Sequence, residues 1–378
     1  MKIVKLISLC LWIGILLLPL SQNIFQYAVV KPLNGAFINP VRPALATRSW
    51  FNSSFQDSMN QFVESNLGFR PLLVRVRNQI DYSLFGITHA NDIIKGRNGQ
   101  LFEKTYVEKY YGMNTAYQDS LPEVIGQLKF LQDTLAKENK LVMVVIAPGK
   151  AHFMPENIPP GFDSSNIKNS NYNKLVPLLK DHQINFIDFN SYFLSIKNDS
   201  HYPLFPAGGT HWSVYGAMLA ADSMTKFIKE KLGIPIISYD ISHGFWSLKP
   251  QQGDDDILST INLLLTPKGD LLWYPWTEID TTTGLKPDVL VIGDSYYWRI
   301  LGNYFPLNVY SSRFSYWYYG AQAWPESERM GRDVMVSNMN LKDEIEKRQV
   351  IIFLDGEANY TGIGHGLIAK MYALYHPK

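Results

Sequence analysis

The chain is poor in the residues that build covalent or metal scaffolds. It has 378 residues and one cysteine, Cys10. No intrachain disulfide and no cysteine-rich zinc centre can therefore form. It also lacks an excess of charge of either sign. Lys and Arg number 35 and Asp and Glu 34, a formal net charge of +1. That argues against a nucleic-acid groove, which needs a basic field to pair phosphates. No internal repeat or low-complexity tract is present, and no glycine-rich phosphate loop follows the first predicted strand, which argues against a nucleotide-binding protein. No metal site or cofactor is expected. Charged residues are only 18% of the chain, while 46% is apolar. This is ample for a full-sized core and rules out wholesale disorder. Aromatic side chains are plentiful, with 22 Tyr, 20 Phe and 9 Trp. At about 150 residues per domain, the length allows one to three domains.

The N-terminus sets the compartment. Lys2 and Lys5 precede an apolar run from Leu6 to Leu20, interrupted by Ser8, Gly14 and Pro19. A basic start before such a run reads as a secretory signal. No small-x-small cleavage site follows, since Pro19 occupies the −3 position relative to a cut after Ser21. Residues 1–25 are therefore expected to be a signal peptide or an uncleaved membrane anchor. Cys10 follows Leu9 and lies too early for a lipoprotein site. Residues 26–95 read as an arm with short helices between 61 and 90. Gly96-Arg97-Asn98-Gly99 is a turn into Gln100-Leu101-Phe102, a plausible hairpin.

Beyond residue 120 the pattern alternates between strand and helix. Ser120-Leu121-Pro122-Glu123 is a capping-box sequence, followed by a helical stripe of Val124, Leu128, Leu131 and Leu135. Leu141 to Ala147 is a continuous apolar run, as in a strand buried on both faces. A second helical pattern holds Leu175 to Leu179, and Ile184 to Phe189 reads as a strand. Ser213 caps a helix that Gly233 stops. Val289–Ile292, Val309–Tyr318 and Val350–Leu354 read as further strands. This alternation predicts an α/β fold with a flavodoxin-like, doubly wound parallel sheet over residues 96–378. In such sheets ligands bind at the carboxyl ends of the strands. Residues 234–287 break the alternation and read as an inserted, lid-like segment. Within it, Gly253-Asp254-Asp255-Asp256 reads as a charged helix start, because its spacing is not that of a calcium loop.

The sharpest chemical feature is Val289-Leu290-Val291-Ile292-Gly293-Asp294-Ser295, a buried strand ending in Gly-Asp-Ser. It sets the Ser295 hydroxyl at the sheet edge, beside backbone N–H groups at a helix start. A serine nucleophile needs a base. His211, in Gly208-Gly209-Thr210-His211-Trp212-Ser213, is the leading candidate, and His152 is the other histidine just beyond a strand end. Asp294 reads as a group that bonds its own turn.

With these blocks in view, the chain resembles the SGNH hydrolase-like proteins of polysaccharide O-acetylation, the AlgX/AlgJ kind, over roughly residues 60–378. The resemblance rests on His211-Trp212-Ser213 lying upstream of Gly293-Asp294-Ser295, a permuted order relative to ordinary SGNH esterases. Gly68-Phe69-Arg70, Gly96 to Phe102 and Ala147-Pro148-Gly149-Lys150 add to it. The family's Asp, two residues before the histidine, is Gly209 here. Asp188 and Glu357 are candidates for a substitute acid, with a Ser–His dyad or a catalytically inactive scaffold as alternatives. The resemblance implies oxyanion donors from Ser295, Gly320 and Asn359. It also implies an exported O-acetyltransferase, or an accessory of one, that takes acetyl from a membrane-bound O-acyltransferase and passes it to an extracellular polysaccharide. The expected location is the periplasm or the outer face of the cytoplasmic membrane. Trp273, Trp276, Trp317 and Tyr318 are candidate sugar platforms. A carbohydrate esterase, or a polysaccharide-binding scaffold, is the alternative function.

Overall fold

The apolar runs become the strands of one sheet. In the computed structural model these are β1 (Leu141–Ile146), β2 (Phe186–Asp188), β3 (Val289–Gly293), β4 (Ser315–Tyr318), β5 (Gln322–Trp324) and β6 (Val350–Asp355). The structure describes residues 2–376 apart from 36–39, 114, 116, 281 and 283. The strand order is β5-β4-β3-β6-β1-β2. Every neighbouring pair is parallel except β4 with β5. Val350 pairs with both Leu141 and Val289, so β1, β6 and β3 run in step and end together.

Side chains alternate across each strand, and both faces are buried. Met143, Val145, Val291 and Ile352 lie in one core cluster, and Val144, Ile292, Ile351 and Phe353 in the other. Helix α4 (Leu121–Ala136) covers the second face with Leu121, Ile125, Leu128, Leu131 and Leu135, all fully buried. Helices α5 (Asn171–Asp181) and α7 (Leu367–Tyr375) join it there. Helix α6 (Val214–Leu232) covers the first face through Ala217, Met218, Ala221, Met224 and Ile228. Burying each large side chain of this kind contributes about 1.5–3 kcal/mol. The architecture is the α/β sandwich expected from the alternating pattern, with a parallel-rich sheet and helices on both faces.

Several local expectations are corrected. Ser120 does not cap α4; its hydroxyl donates to the Tyr117 carbonyl, and the preceding turn is 3-10. The run Val309–Tyr318 is a strand only from Ser315. Its start belongs to a short helix, Phe305–Val309, which Pro306 favours at its first turn. The Asp254–Asp256 run opens no helix and is a chain of turns. The segment 234–287 forms two antiparallel pairs, Ser238–Asp240 with Glu278–Asp280 and Gly244–Ser247 with Leu272–Pro275. The expected hairpin is formed by Ile93–Lys95 and Leu101–Glu103.

The chain divides into two units, and the sheet lies in the larger one, Asp92–Ile257 with Lys268–Lys378. The smaller comprises Met1–Asn91 and Leu258–Pro267. Its helices are α1 (Lys2–Phe25), α2 (Ser54–Asn66) and α3 (Arg70–Phe85), with a short helix at Thr47–Phe51. Asn78 of α3 donates to the Ile261 carbonyl at 2.9 Å, and Arg75 holds the Lys31 and Pro32 carbonyls at 2.7 and 2.6 Å. Helix α1 has 24 residues and a mean hydropathy of 2.4, long and apolar enough to cross a membrane; a signal sequence has the same character.

Ser213 positions the start of α6. Its Oγ accepts from Gly216 N–H at 3.0 Å and donates to the Pro203 carbonyl at 2.7 Å. Ser213→Ala is expected to cost about 1–2 kcal/mol, read as a lower midpoint in urea unfolding of the detergent-solubilised chain.

Candidate active site

The nucleophile turn is fixed by buried backbone. Asp294, fully buried at the end of β3, accepts from Tyr296 N–H at 3.0 Å, Gly356 N–H at 2.7 Å and the Asn359 amide at 2.9 Å. Three donors from two segments hold one carboxylate, tying the end of β3 to the loop after β6. Tyr316 Oη donates to the Asp294 carbonyl, and Tyr319 N–H to the Gly293 carbonyl. Ser295 follows, half-buried, with its side chain at the carboxyl edge of the sheet.

His211 is delivered by the loop before α6. Trp212 is fully buried, and its indole N–H donates to the Tyr296 carbonyl at 3.0 Å. This ties the histidine loop to the turn of the nucleophile. The imidazole sits edge-on to the Tyr296 ring, with centroids 4.8 Å apart. Lys150, buried at the end of β1, places its ammonium on the carbonyls of Leu101, Pro206, Ala207 and Gly209 at 2.7–2.9 Å. Burial pushes this ammonium down to about 7.

These constraints bring His211 Nε2 to 2.8 Å from Ser295 Oγ. On the other side of the ring, Nδ1 lies 2.6 Å from Asp256 Oδ2. An ionised carboxylate only accepts, so Nδ1 carries the proton and Nε2 is left to accept from the serine hydroxyl. Asp256 Oδ1 accepts the Thr210 N–H at 3.0 Å, and Arg299 reaches Oδ2 at 3.2 Å. Burial opposes the charge on Asp256. The His211 hydrogen bond, its charge and the Arg299 guanidinium outweigh that and hold the carboxyl below its usual range.

Asp256 is the carboxylate that meets His211, and sequence reasoning missed it; the two expected candidates have other partners. Asp188 caps the helix Phe189–Ser195, bonded to Ser191 N–H and to the Tyr172 hydroxyl at 2.7 Å. Glu357 is fully buried, with His152 Nδ1 3.8 Å from its carboxylate. Gly209 is part of the same arrangement. A Cβ there would lie 2.7 Å from the Asp254 carbonyl oxygen and 2.7 Å from Pro206 Cγ. The bare backbone at 209 is the space into which the Asp254–Asp256 turns fit. The signal in the sequence was the pairing of the missing acid at 209 with a carboxylate run between the histidine and serine blocks.

The remaining candidates separate by their hydrogen bonds and exposure. The Ser295 N–H meets no acceptor among the described residues and stands at the start of a 3-10 turn. The Asn359 amide reaches Asp294 with one N–H and lies beside Tyr319. Gly320 is removed as a donor, because its N–H is bonded to the Trp317 carbonyl at 3.1 Å. Trp317 is removed as a sugar platform, because it is fully buried. Trp273 stacks on Tyr202 with centroids 4.5 Å apart, Trp276 is exposed, and Tyr318 is half-buried. Sequence reasoning also passed over Tyr319, whose hydroxyl lies beside Ser295 and Asn359, and Glu103, a carboxyl near His211 that burial pushes up. Among the described residues, no three His, Cys, Asp or Glu side chains gather as a metal site.

Two stability measurements test this geometry. Gly209→Asp is expected to destabilise by about 1–3 kcal/mol by overpacking against backbone, seen as a lower unfolding midpoint. Asp254, buried with Arg299 Nε 3.5 Å away, is pushed up to about 6 by burial, against the pull of Arg299. A raised carboxyl contributes stability that is fully present below its unfolded value and lost as pH rises through the folded one. The stability difference, parent minus Asp254→Asn, should therefore fall by about 3 kcal/mol between pH 3.5 and 6.5, read by urea unfolding at stepped pH.

Comparison with known proteins agrees with the motif reading. Residues 93–252 match the family model of the SGNH hydrolase-like domain of acetyltransferase AlgX, a span that includes Gly209 and His211. No curated protein matches the chain. Similar solved structures include the O-acetyltransferase domain of Pseudomonas putida AlgJ, at 16% identity, covering 75% of this chain and 99% of that one, with a TM-score of 0.49. Pseudomonas aeruginosa AlgX follows at 15%, 73%, 67% and 0.46, and Bacillus cereus PatB1 at 10%, 73%, 98% and 0.42. Asp256 and Ser295 lie beyond the matched residues, and the fold carries them to His211. Residues 93–252 are thus similar to the SGNH hydrolase-like domain of acetyltransferase AlgX.

Proposed function

We propose that this protein is an exported O-acetyltransferase that acetylates hydroxyls of an extracellular polysaccharide through an acetyl-Ser295 intermediate. The observation that carries the reading is the unbroken chain Asp256–His211–Ser295, with contacts of 2.6 and 2.8 Å. The AlgX-type domain supports it. With an acid at His211, the absence of Asp at position 209 ceases to favour an inactive scaffold.

The chemistry runs in two halves. Ser295 Oγ attacks the carbonyl carbon of an acetyl ester while its proton passes to His211 Nε2. The oxyanion of the tetrahedral intermediate accepts from the Ser295 N–H and the second Asn359 amide hydrogen. Collapse breaks the bond to the donor's leaving oxygen, which takes the proton back from His211. Asp256 stabilises the imidazolium while it exists and keeps the ring in the productive tautomer. A sugar hydroxyl then gives its proton to His211 and attacks the acetyl-serine, and Ser295 departs with that proton. Water in place of the sugar would make the enzyme an esterase. The donor side is assigned to a membrane-bound O-acyltransferase. Work at the outer face of the cytoplasmic membrane is supported by α1, as a signal or anchor.

The full chain in detergent, treated with p-nitrophenyl acetate, should give one acetyl adduct by intact mass. Ser295→Ala and His211→Ala should lose it. Asp256→Asn should slow acylation by about 10²–10⁴-fold, because the tautomer is lost. An adduct that survives Ser295→Ala, or none on the parent, would overturn the reading. Faster discharge by oligosaccharide than by water separates transferase from esterase.

A further inference from the structure

We infer that the acceptor is a neutral glycan, seated on an aromatic ledge beside Ser295; this rests on the reading above and narrows its substrate class. The ledge begins on the nucleophile's own turn. Trp298 lies three residues after Ser295, one helical turn on and on the same side. It is half-buried, and its indole meets Tyr318 with centroids 5.3 Å apart and Trp324 at 5.1 Å. Tyr318 continues to Tyr319 at 4.6 Å. Tyr319 is 40% exposed, and its hydroxyl lies beside Ser295. Four aromatic side chains from three elements, the turn after β3, the end of β4 and the end of β5, thus form one surface leading to the nucleophile. The edge-to-face packing of Trp298 fixes the rings against each other. Rigid aromatic faces with hydroxyl groups at the rim suit a pyranose ring, which is apolar on its C–H faces and polar at its edge.

The electrostatics select the class of sugar. A uronate or sulfated glycan needs Arg or Lys to pair its anions. Three basic groups at the loops of the site are engaged by the protein, one of them His365, edge-on to Tyr319 and 2.8 Å from the Asp355 carboxylate. Arg299 is held by Asp254, Asp256 and the Gly253 carbonyl, and Lys150 by four backbone carbonyls. The carboxyls around Ser295 and His211 are Asp256, paired with Arg299, the fully buried Asp294, and Glu103, which burial pushes up. The helix after Trp324, Glu326–Met330, carries Glu326 and Glu328 beside Arg329. A polyanion approaching Ser295 would find these basic groups already engaged, whereas a neutral sugar can stack and hydrogen-bond.

The test uses the full-length Ser295→Ala chain in detergent, titrated with cellohexaose, mannohexaose and hexamannuronate while tryptophan fluorescence is followed. Saturable quenching by a neutral hexaose and none by hexamannuronate is expected. Trp298→Ala and, separately, Trp324→Ala should each weaken that binding at least ten-fold, while Trp298→Phe should retain most of it. Binding of hexamannuronate alone, binding of none of the three, or neutral binding that both alanine variants leave unchanged would overturn the inference. Because this titration needs no acyl-enzyme, it is read apart from the p-nitrophenyl acetate experiment. Failed acylation with intact neutral binding would remove the acetyltransferase reading and leave the ledge as a glycan site.

Discussion

The bond between Asp256 and His211 is the contact on which the rest of the site depends. At 2.6 Å it fixes the tautomer of the imidazole, and so decides that Nε2 faces Ser295 as an acceptor. The acid arrives from 45 positions beyond the histidine. It therefore has to be held by tertiary contacts rather than by local chain geometry. Arg299 supplies them, bonding Asp256 and the Gly253 carbonyl together. Gly209 leaves the room, since any side chain there would meet the Asp254 carbonyl. The loss of an acid at 209 and the presence of one at 256 are two sides of one packing solution.

The two ends of the nucleophile–base pair are built by different means. The serine turn is held by Asp294, a buried carboxylate that meets three N–H donors and lies where parallel strands β3 and β6 end in step. The histidine loop has no regular structure, and Lys150 replaces the missing ladder by gathering four of the carbonyls around it. A buried carbonyl without a partner costs about 1–3 kcal/mol, so one lysine head satisfies several such groups at once. Trp212 closes the assembly by bonding the Tyr296 carbonyl, so the base loop and the nucleophile turn are linked directly as well as through the reacting atoms.

The sheet explains why this constellation stands where it does. In a parallel sheet the loops that leave the carboxyl ends are the variable ones, and the strands beneath serve as a fixed floor. β3 leads into Ser295, the loop after β6 carries Asn359, and the ends of β4 and β5 carry aromatic side chains. The two core clusters on either face keep that floor from shifting. A site assembled from the ends of several strands can change its acid, or its acceptor surface, by altering a single loop.

Some of this was written in the local pattern of the sequence. Leu141–Ile146, Val289–Gly293 and Val350–Asp355 are continuous apolar runs because both faces of the sheet are covered, and a run of that kind is visible without neighbours. Ser213 as a cap and Gly233 as a stop are likewise local chemistry. Ser295 and His211 could be named because each sits at the end of a recognisable element. Asp256 could not, because its role depends on a distance through space rather than on its neighbours in the chain, and a run of carboxylates before apolar residues also fits a helix start. Gly320 and Trp317 failed for the same reason: whether an N–H is free or an indole exposed is settled by the segment that packs against it. The sequence alone determined the strands, the helix termini and the nucleophile's turn, because these are short-range properties of the backbone. Only the tertiary structure decided which carboxylate meets His211 and which aromatic side chain lies beside Ser295, because both are fixed by loops that converge from distant parts of the chain.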